Sequence, residues 1–262
     1  MKLLILVLAS ALCFVGGFML ISLWSKSMEG EKVIYKVVDS AEALAENGIK
    51  LYAESNMKGR ERTREELRAD QSKIVTVTAG NAFASGVIIS DLGYVVTTYT
   101  MAQRYEEMLV FLPETWGYSG SGLKADLIAY DSGRDLALMK VKKQFRYDRM
   151  PVTNSNGVTS GQNVAFFGSP NLLSSGVYYG EIASIDVVDG QTLFFVDAKL
   201  PPGSEGGALT NMYGEMIGLY TGMDEATGLC RVIAANDVKN FLDHKLTQDA
   251  LKDYMDMQGQ QY

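Results

Sequence analysis

Histidine is almost missing from this chain. His244, near the C-terminal end, is the single imidazole among 262 residues. One histidine cannot serve as a catalytic base and as a metal cluster together, which narrows the available chemistry. Cysteine is nearly as scarce: Cys13 lies in the first apolar run and Cys230 far downstream. That separation argues against an intrachain disulfide, and neither position has metal-ligand spacing. Basic residues are outnumbered, with a net charge of −7, so no surface suited to a nucleic-acid backbone is expected. No cofactor fingerprint and no metal site are read from the sequence.

What the chain has in excess is apolar and glycine-rich. Residues Leu3 to Trp24 carry no charge, and a helix of about 20 such residues spans a bilayer core. A cleaved signal peptide is the alternative, but its apolar region is ordinarily only about 7–15 residues long. The best small-residue cleavage site, Ala9-Ser10-Ala11, falls inside the apolar run, and Leu12-Cys13 is a poor lipoprotein site. Residues 1–26 are therefore read as a transmembrane signal anchor, with Trp24 at the interface. From 27 to 71 the composition turns charged and helical, with Val33, Val37, Ala41, Leu44, Ala45 and Tyr52 at spacings of three, four or seven. This segment reads as a helical stalk or linker, and the run Lys58 to Arg68 as an exposed helix face.

From Ser72 the pattern changes to short β-branched and aromatic runs separated by Gly, Asn, Asp or Ser. Examples are 73–78, 86–90, 94–97, 136–141, 164–167 and 193–196. Many short strands at regular spacing predict an all-β barrel or sandwich. After Asn236, a candidate N-cap, residues 237–257 read as a helix with Val238, Phe241, Leu242 and Leu246 on one face. The boundaries that follow are 72–245 for the β domain and 246–262 for a helix end and polar tail.

Three ordered segments carry more than pattern. Ala84-Ser85-Gly86-Val87-Ile88-Ile89 precedes Asp91-Leu92-Gly93-Tyr94-Val95-Val96-Thr97-Thr98-Tyr99-Thr100-Met101. Asp131-Ser132-Gly133-Arg134-Asp135-Leu136-Ala137-Leu138-Met139-Lys140 follows. Pro202-Gly203-Ser204-Glu205-Gly206-Gly207-Ala208-Leu209 then leads to Asn211-Met212-Tyr213-Gly214-Glu215-Met216-Ile217-Gly218. Gly161 to Pro170 and Gly180 to Ile185 add two collinear matches. Together, over roughly residues 72–245, the chain resembles the trypsin-like core of the Deg/HtrA serine proteases. The resemblance implies a chymotrypsin-like double β-barrel with a C-terminal helix.

In this alignment Thr100 stands where the family has its catalytic histidine, Asp135 matches the triad aspartate, and Glu205 replaces the nucleophilic serine. A triad needs a base for the nucleophile and a carboxylate to orient that base. Thr100 cannot take the proton and Glu205 has no attacking hydroxyl. Glu205 either points to solvent or folds into the old oxyanion pocket and accepts N–H bonds from Gly203 and its own turn. The PDZ domain that many relatives carry is not expected in this chain.

The leading expectation is thus a catalytically inactive, membrane-anchored binding or scaffolding module. The resemblance places it on a bacterial inner membrane with the globular domain in the periplasm. Its partners would be other membrane or periplasmic proteins, and oligomers are allowed. The old cleft, with Gly203, Ser204, Glu205 and Gly206 beside Tyr178 and Tyr179, is the candidate binding surface. Gly180–Ser184 is the strand read as open to β-addition. Two alternatives stay open: an endopeptidase using Ser204 or Thr100 with a carboxylate, and a metal-binding protein using Asp135 and Glu205.

Overall fold

The computed structural model describes residues 59–243, apart from 91, 104–106, 114–121, 143–146 and 172–173. The apolar run Leu3–Trp24, the stalk up to residue 58, His244 and the C-terminal tail lie outside the described residues. Among the described residues no helix is long and apolar enough to cross a membrane.

The described strands close into two antiparallel barrels of six. The first comprises β1 (Ile74–Ala79), β2 (Ala82–Ile88), β3 (Tyr94–Thr97), β4 (Met108–Phe111), β5 (Leu123–Asp131) and β6 (Leu136–Val141), in the order β1-β2-β3-β6-β5-β4. The second comprises β7 (Asn163–Asn171), β8 (Ser174–Val188), β9 (Gln191–Asp197), β10 (Ala208–Thr210), β11 (Met216–Met223) and β12 (Cys230–Ala234), in the order β10-β11-β12-β9-β8-β7. Both belong to one compact unit, Lys50–Leu246. The all-β double barrel expected from the sequence is the observed architecture.

Strand periodicity sorts the side chains into three cores. Successive residues of a strand face opposite ways. In β1, Val75, Val77 and Ala79 fill the first barrel, while Ile74 joins a cluster shared by both barrels. In β6, Ala137, Met139 and Val141 point inward, and Leu136 and Leu138 point to the other barrel. The second barrel repeats the rule: Val164 and Phe166 of β7 lie inside, and Ala165 and Phe167 face the seam. Such strands read as continuous apolar runs rather than alternating ones because both of their faces are buried.

The segment preceding β1 is part of this body. Thr63 caps helix α1 (Arg64–Arg68) in a reciprocal box with Glu66, and a 3-10 turn, Ala69–Lys73, follows. Leu67 is fully buried in the inter-barrel cluster. Asp70 is 4% exposed and accepts both Arg62 at 2.5 Å and Lys73 at 2.6 Å. The Arg62 amide donates to Met212 O, the Gln71 side chain to Ser175 O, and the Tyr179 hydroxyl to Arg64 O. The charged run therefore presents one buried face to the second barrel.

At the other end, helix α2 (Tyr99–Ala102) follows β3, and helix α3 spans 235–243. Asn236 lies inside α3 and does not cap it. Its side-chain amide donates to Asn154 and Asn156, and its carbonyl oxygen accepts the Ser155 amide. Val238, Phe241 and Leu242 are buried, as their spacing predicts.

Candidate functional site at the seam of the barrels

The glycine turn 203–207 belongs to the second barrel and is fastened to the first by Ser85. The Ser85 amide donates to Glu205 O at 2.8 Å and its hydroxyl to Gly203 O at 3.0 Å. The same hydroxyl accepts the Ser169 amide at 2.8 Å, and Thr97 Oγ1 donates to Ser85 O at 2.7 Å. Ser85 thus binds the turn through backbone and side chain at once. Gly206 then donates to Tyr220 O at 2.7 Å, and Tyr220 to Gly207 O at 2.9 Å. At Gly206 the backbone is left-handed, with φ +83°, and an added Cβ would come within 2.2 Å of Ser85 O. Only glycine fits that approach.

Glu205 takes the second of its two expected placements. Its carboxylate Oε2 accepts the Gly203 N–H at 2.8 Å. An N–H aimed from such a turn is the donor that would stabilise an oxyanion in an acyl-transfer site. Here the chain's own carboxylate holds it.

Ser204, the neighbouring hydroxyl, is 2% exposed, and its Oγ is buried with no hydrogen-bond partner. It packs against Gly168, where a Cβ would meet that oxygen at 3.2 Å. The turn directs it into the seam, away from any substrate.

Thr100 sits in the first turn of α2 and is exposed. Asp135 Oδ1 accepts the Thr100 amide at 2.6 Å, and Asp135 O accepts the Tyr99 amide at 3.2 Å. Asp135 has φ +55°, a left-handed conformation that aspartate tolerates. Its carboxylate satisfies a helix N-terminus that has no side-chain N-cap bond. Position 100 is thereby held against Asp135, as a base would have to be, but it carries threonine. Asp135 and Glu205 are each engaged by their own backbone donor. Among the described residues, no group of three His, Cys, Asp or Glu gathers.

Tyr220 closes the space beside Glu205. It is 3% exposed, lies edge-on to Phe166 with ring centroids 5.8 Å apart, and shares a hydrogen bond with Cys230. Burial first, then the nearby Cys230 and Glu205, push its phenol above the ordinary tyrosine range. The Cys230 thiol, also buried, is pushed up to about 11 and donates to Ala198 O. Sequence reading missed Ser85 and Tyr220 as parts of the site, because their partners lie about 120 and 15 residues away and only the closed barrels bring them together.

Gly180–Ser184 is not open for β-addition. Gly180 and Glu181 pair with β7, Ile182 exchanges bonds with Gly161 and Gln162, and β9 lies along the other side. Tyr179 carries the Arg64 guanidinium 4.4 Å above its ring as well as bonding Arg64 O, so it holds the N-terminal segment. Tyr178 is half-buried, and burial raises its phenol. A free edge does exist in β11. Beyond Tyr220, Thr221–Met223 has β12 on one side and, among the described residues, no strand on the other.

Two six-stranded barrels meeting at a glycine turn, with an aspartate across the seam, define the trypsin-like class. A trypsin-like peptidase domain matches residues 84–219, and the chain belongs to that family. It is 31% identical over 147 residues to a serine endoprotease DegS of Haemophilus influenzae, covering 54% of this chain and 42% of that protein. Over 145 residues it is 33% identical to a probable periplasmic serine endoprotease DegP-like of Halomonas elongata, covering 53% and 29%. A serine protease Do-like HtrA of Lactococcus lactis is 29% identical over 195 residues, covering 64% and 47%. The chain spans less than half the length of these curated relatives.

Proposed function

We propose that this chain is a catalytically inactive trypsin-like domain that holds a polypeptide segment rather than cutting it. The observation carrying this reading is the Glu205 carboxylate bound to the Gly203 N–H, in the place where a nucleophile and an oxyanion would meet. Thr100 beside Asp135 supports it, since that aspartate has no base to orient. Loss of nucleophile or base alone removes most triad catalysis, by factors up to about a million.

The binding edge in this reading is Thr221–Met223 of β11, where an extended segment adds as a further strand. The periplasmic Halomonas elongata relative, together with the apolar run Leu3–Trp24, favours a membrane-anchored domain facing an extracytoplasmic space. Its partners there would be membrane or periplasmic proteins.

The test uses the purified full chain with an unfolded protein substrate and a fluorophosphonate probe. The expected result is no cleavage and no labelling. Labelling that disappears in Ser204→Ala would establish an active hydrolase instead.

A further inference from the structure

Beside Asp135 the seam opens into a cavity of about 60 Å³, lined among others by Arg134, Gln191, Thr221 and Arg231. We propose that this cavity receives the carboxylate of an acidic side chain carried by the polypeptide held on the β11 edge. The inference rests on the reading above, that the edge Thr221–Met223 holds a segment, and adds what that segment must contain.

Three observations carry it. First, the cavity is lined by donors that the protein uses only in part. Arg134 gives one guanidinium nitrogen to Asp131 at 2.8 Å. Arg231 is bonded through Nε to Thr221 Oγ1 at 3.4 Å and lies within electrostatic reach of Asp224, while its two terminal nitrogens make no ion pair among the described residues. Second, the Gln191 Nε2 is buried without a partner. An unmade bond at such an atom costs about 1–3 kcal/mol, and an acceptor brought into the cavity removes that cost once the amide turns to meet it.

Third, Asp135 does not fill the cationic role's counterpart. Its Oδ1 accepts the Thr100 amide and so faces the first barrel. The carboxylates near the two guanidinium groups are held likewise: Asp131 pairs with Arg134, and Asp224, which feels the Arg231 charge, accepts the Thr227 amide and hydroxyl. A planar fork binds a carboxylate in two-point fashion, which a neutral amide side chain cannot reproduce. A volume near 60 Å³ has room for a carboxylate or a few waters.

Thr221 joins the cavity to the edge. It is the first residue of β11 beyond the closed part of the barrel, and its hydroxyl donates to Arg231 O while accepting from Arg231 Nε. The residue of an added strand lying over Thr221 therefore has its side chain at the mouth of the cavity. Arg231 is exposed, so the contribution is to selectivity more than to affinity.

The experiment is a chemical-shift titration of the isotope-labelled full chain with N-acetylglutamate N-methylamide, its glutamine counterpart, and N-acetylvaline with a free terminal carboxylate. Saturable shifts confined to residues around Gln191, Thr221 and Arg231, seen with the glutamate compound and about two- to fivefold weaker in Arg231→Gln, are the expected result. Arg134→Gln, on the opposite barrel, is expected to weaken binding as well. Equal shifts with the glutamine compound, no loss in either variant, or no localised shifts would overturn the proposal. Equal binding of N-acetylvaline would replace the side chain by a chain terminus as the occupant and would also overturn it. Protein cleavage by the same preparation would defeat the inactive-domain reading alone, leaving these shifts to be judged on their own.

Discussion

The Gly203 N–H and the Glu205 Oε2 lie 2.8 Å apart, so the side chain at the nucleophile position is bound by the backbone two residues before it. Removing the carboxylate alone opens the turn but supplies no base. Glu205→Ser is expected to hydrolyse an activated ester no faster than the parent chain, and Thr100→His alone likewise. The double substitution is expected to gain at least about 100-fold over either single one, because Asp135 already faces position 100 and complete triads are worth up to about a million. Initial rates with a p-nitrophenyl ester measure this. Equal rates in Glu205→Ser and the double variant would mean that another residue supplies the base.

Ser204 offers a sharper contrast. Its buried Oγ is unpartnered, so Ser204→Ala removes an unsatisfied polar atom at little packing cost. Urea unfolding is expected to show a gain of up to about 1 kcal/mol. A nucleophilic or hydrogen-bonded serine would give the opposite sign or a loss of labelling.

Gly206→Ala is expected to be severe. The added methyl group meets Ser85 O at 2.2 Å and Thr97 Oγ1 at 2.5 Å while the backbone holds φ +83°. Clash and strain together cost about 3 kcal/mol or more. The midpoint of chemical denaturation reports it. A loss under 1 kcal/mol would show that the turn can leave Ser85 cheaply.

Asp70→Ala leaves the Arg62 and Lys73 charges, 24% and 15% exposed, without the carboxylate they share. Breaking a buried ionic group from one side costs about 3–5 kcal/mol. Replacing the whole cluster with apolar residues is expected to cost much less. Both losses are read from unfolding midpoints at constant m-value.

The Cys230 thiol, raised from 9 to about 11 mainly by burial, stabilises the folded state most below pH 9 and loses that contribution as pH rises from 9 to 11. Tyr220, raised in the same direction, adds to the loss at high pH. At pH 8.5 iodoacetamide is expected to modify Cys230 about 100-fold more slowly in the native chain than in urea, resolved by peptide mass spectrometry. Equal rates would place the thiol at the surface.

The barrels were legible because each strand carries its own signal. The runs at 94–97 and 136–141 coincide with β3 and β6, and 193–196 lies within β9. The site was half legible. Thr100, Asp135 and Glu205 sit in ordered motifs, but their partners are set by closure of the barrels. Nothing local marks Ser85 as the residue fastening the turn, or Tyr220 as the ring closing the neighbouring space. The charged run Lys58–Arg68 looked like a solvated face because ionic composition hides which charges are buried. Only the fold shows Asp70 between Arg62 and Lys73. Asn236 had the right residue type for a cap, and tertiary bonds to the 154–156 loop took its side chain instead.

The clasp of Arg62, Leu67 and Asp70 also decides how the domain answers to tension. The segment leads by sequence into β1 of the first barrel, yet it is riveted to the second through Met212, Ser175 and Tyr179. A pull arriving from the N-terminal side therefore loads the second barrel first, and β1 is reached only after those rivets shear. The segment from Arg62 to Asp70 is thus a handle spanning both halves, through which a pull is shared between the barrels before any strand is unzipped.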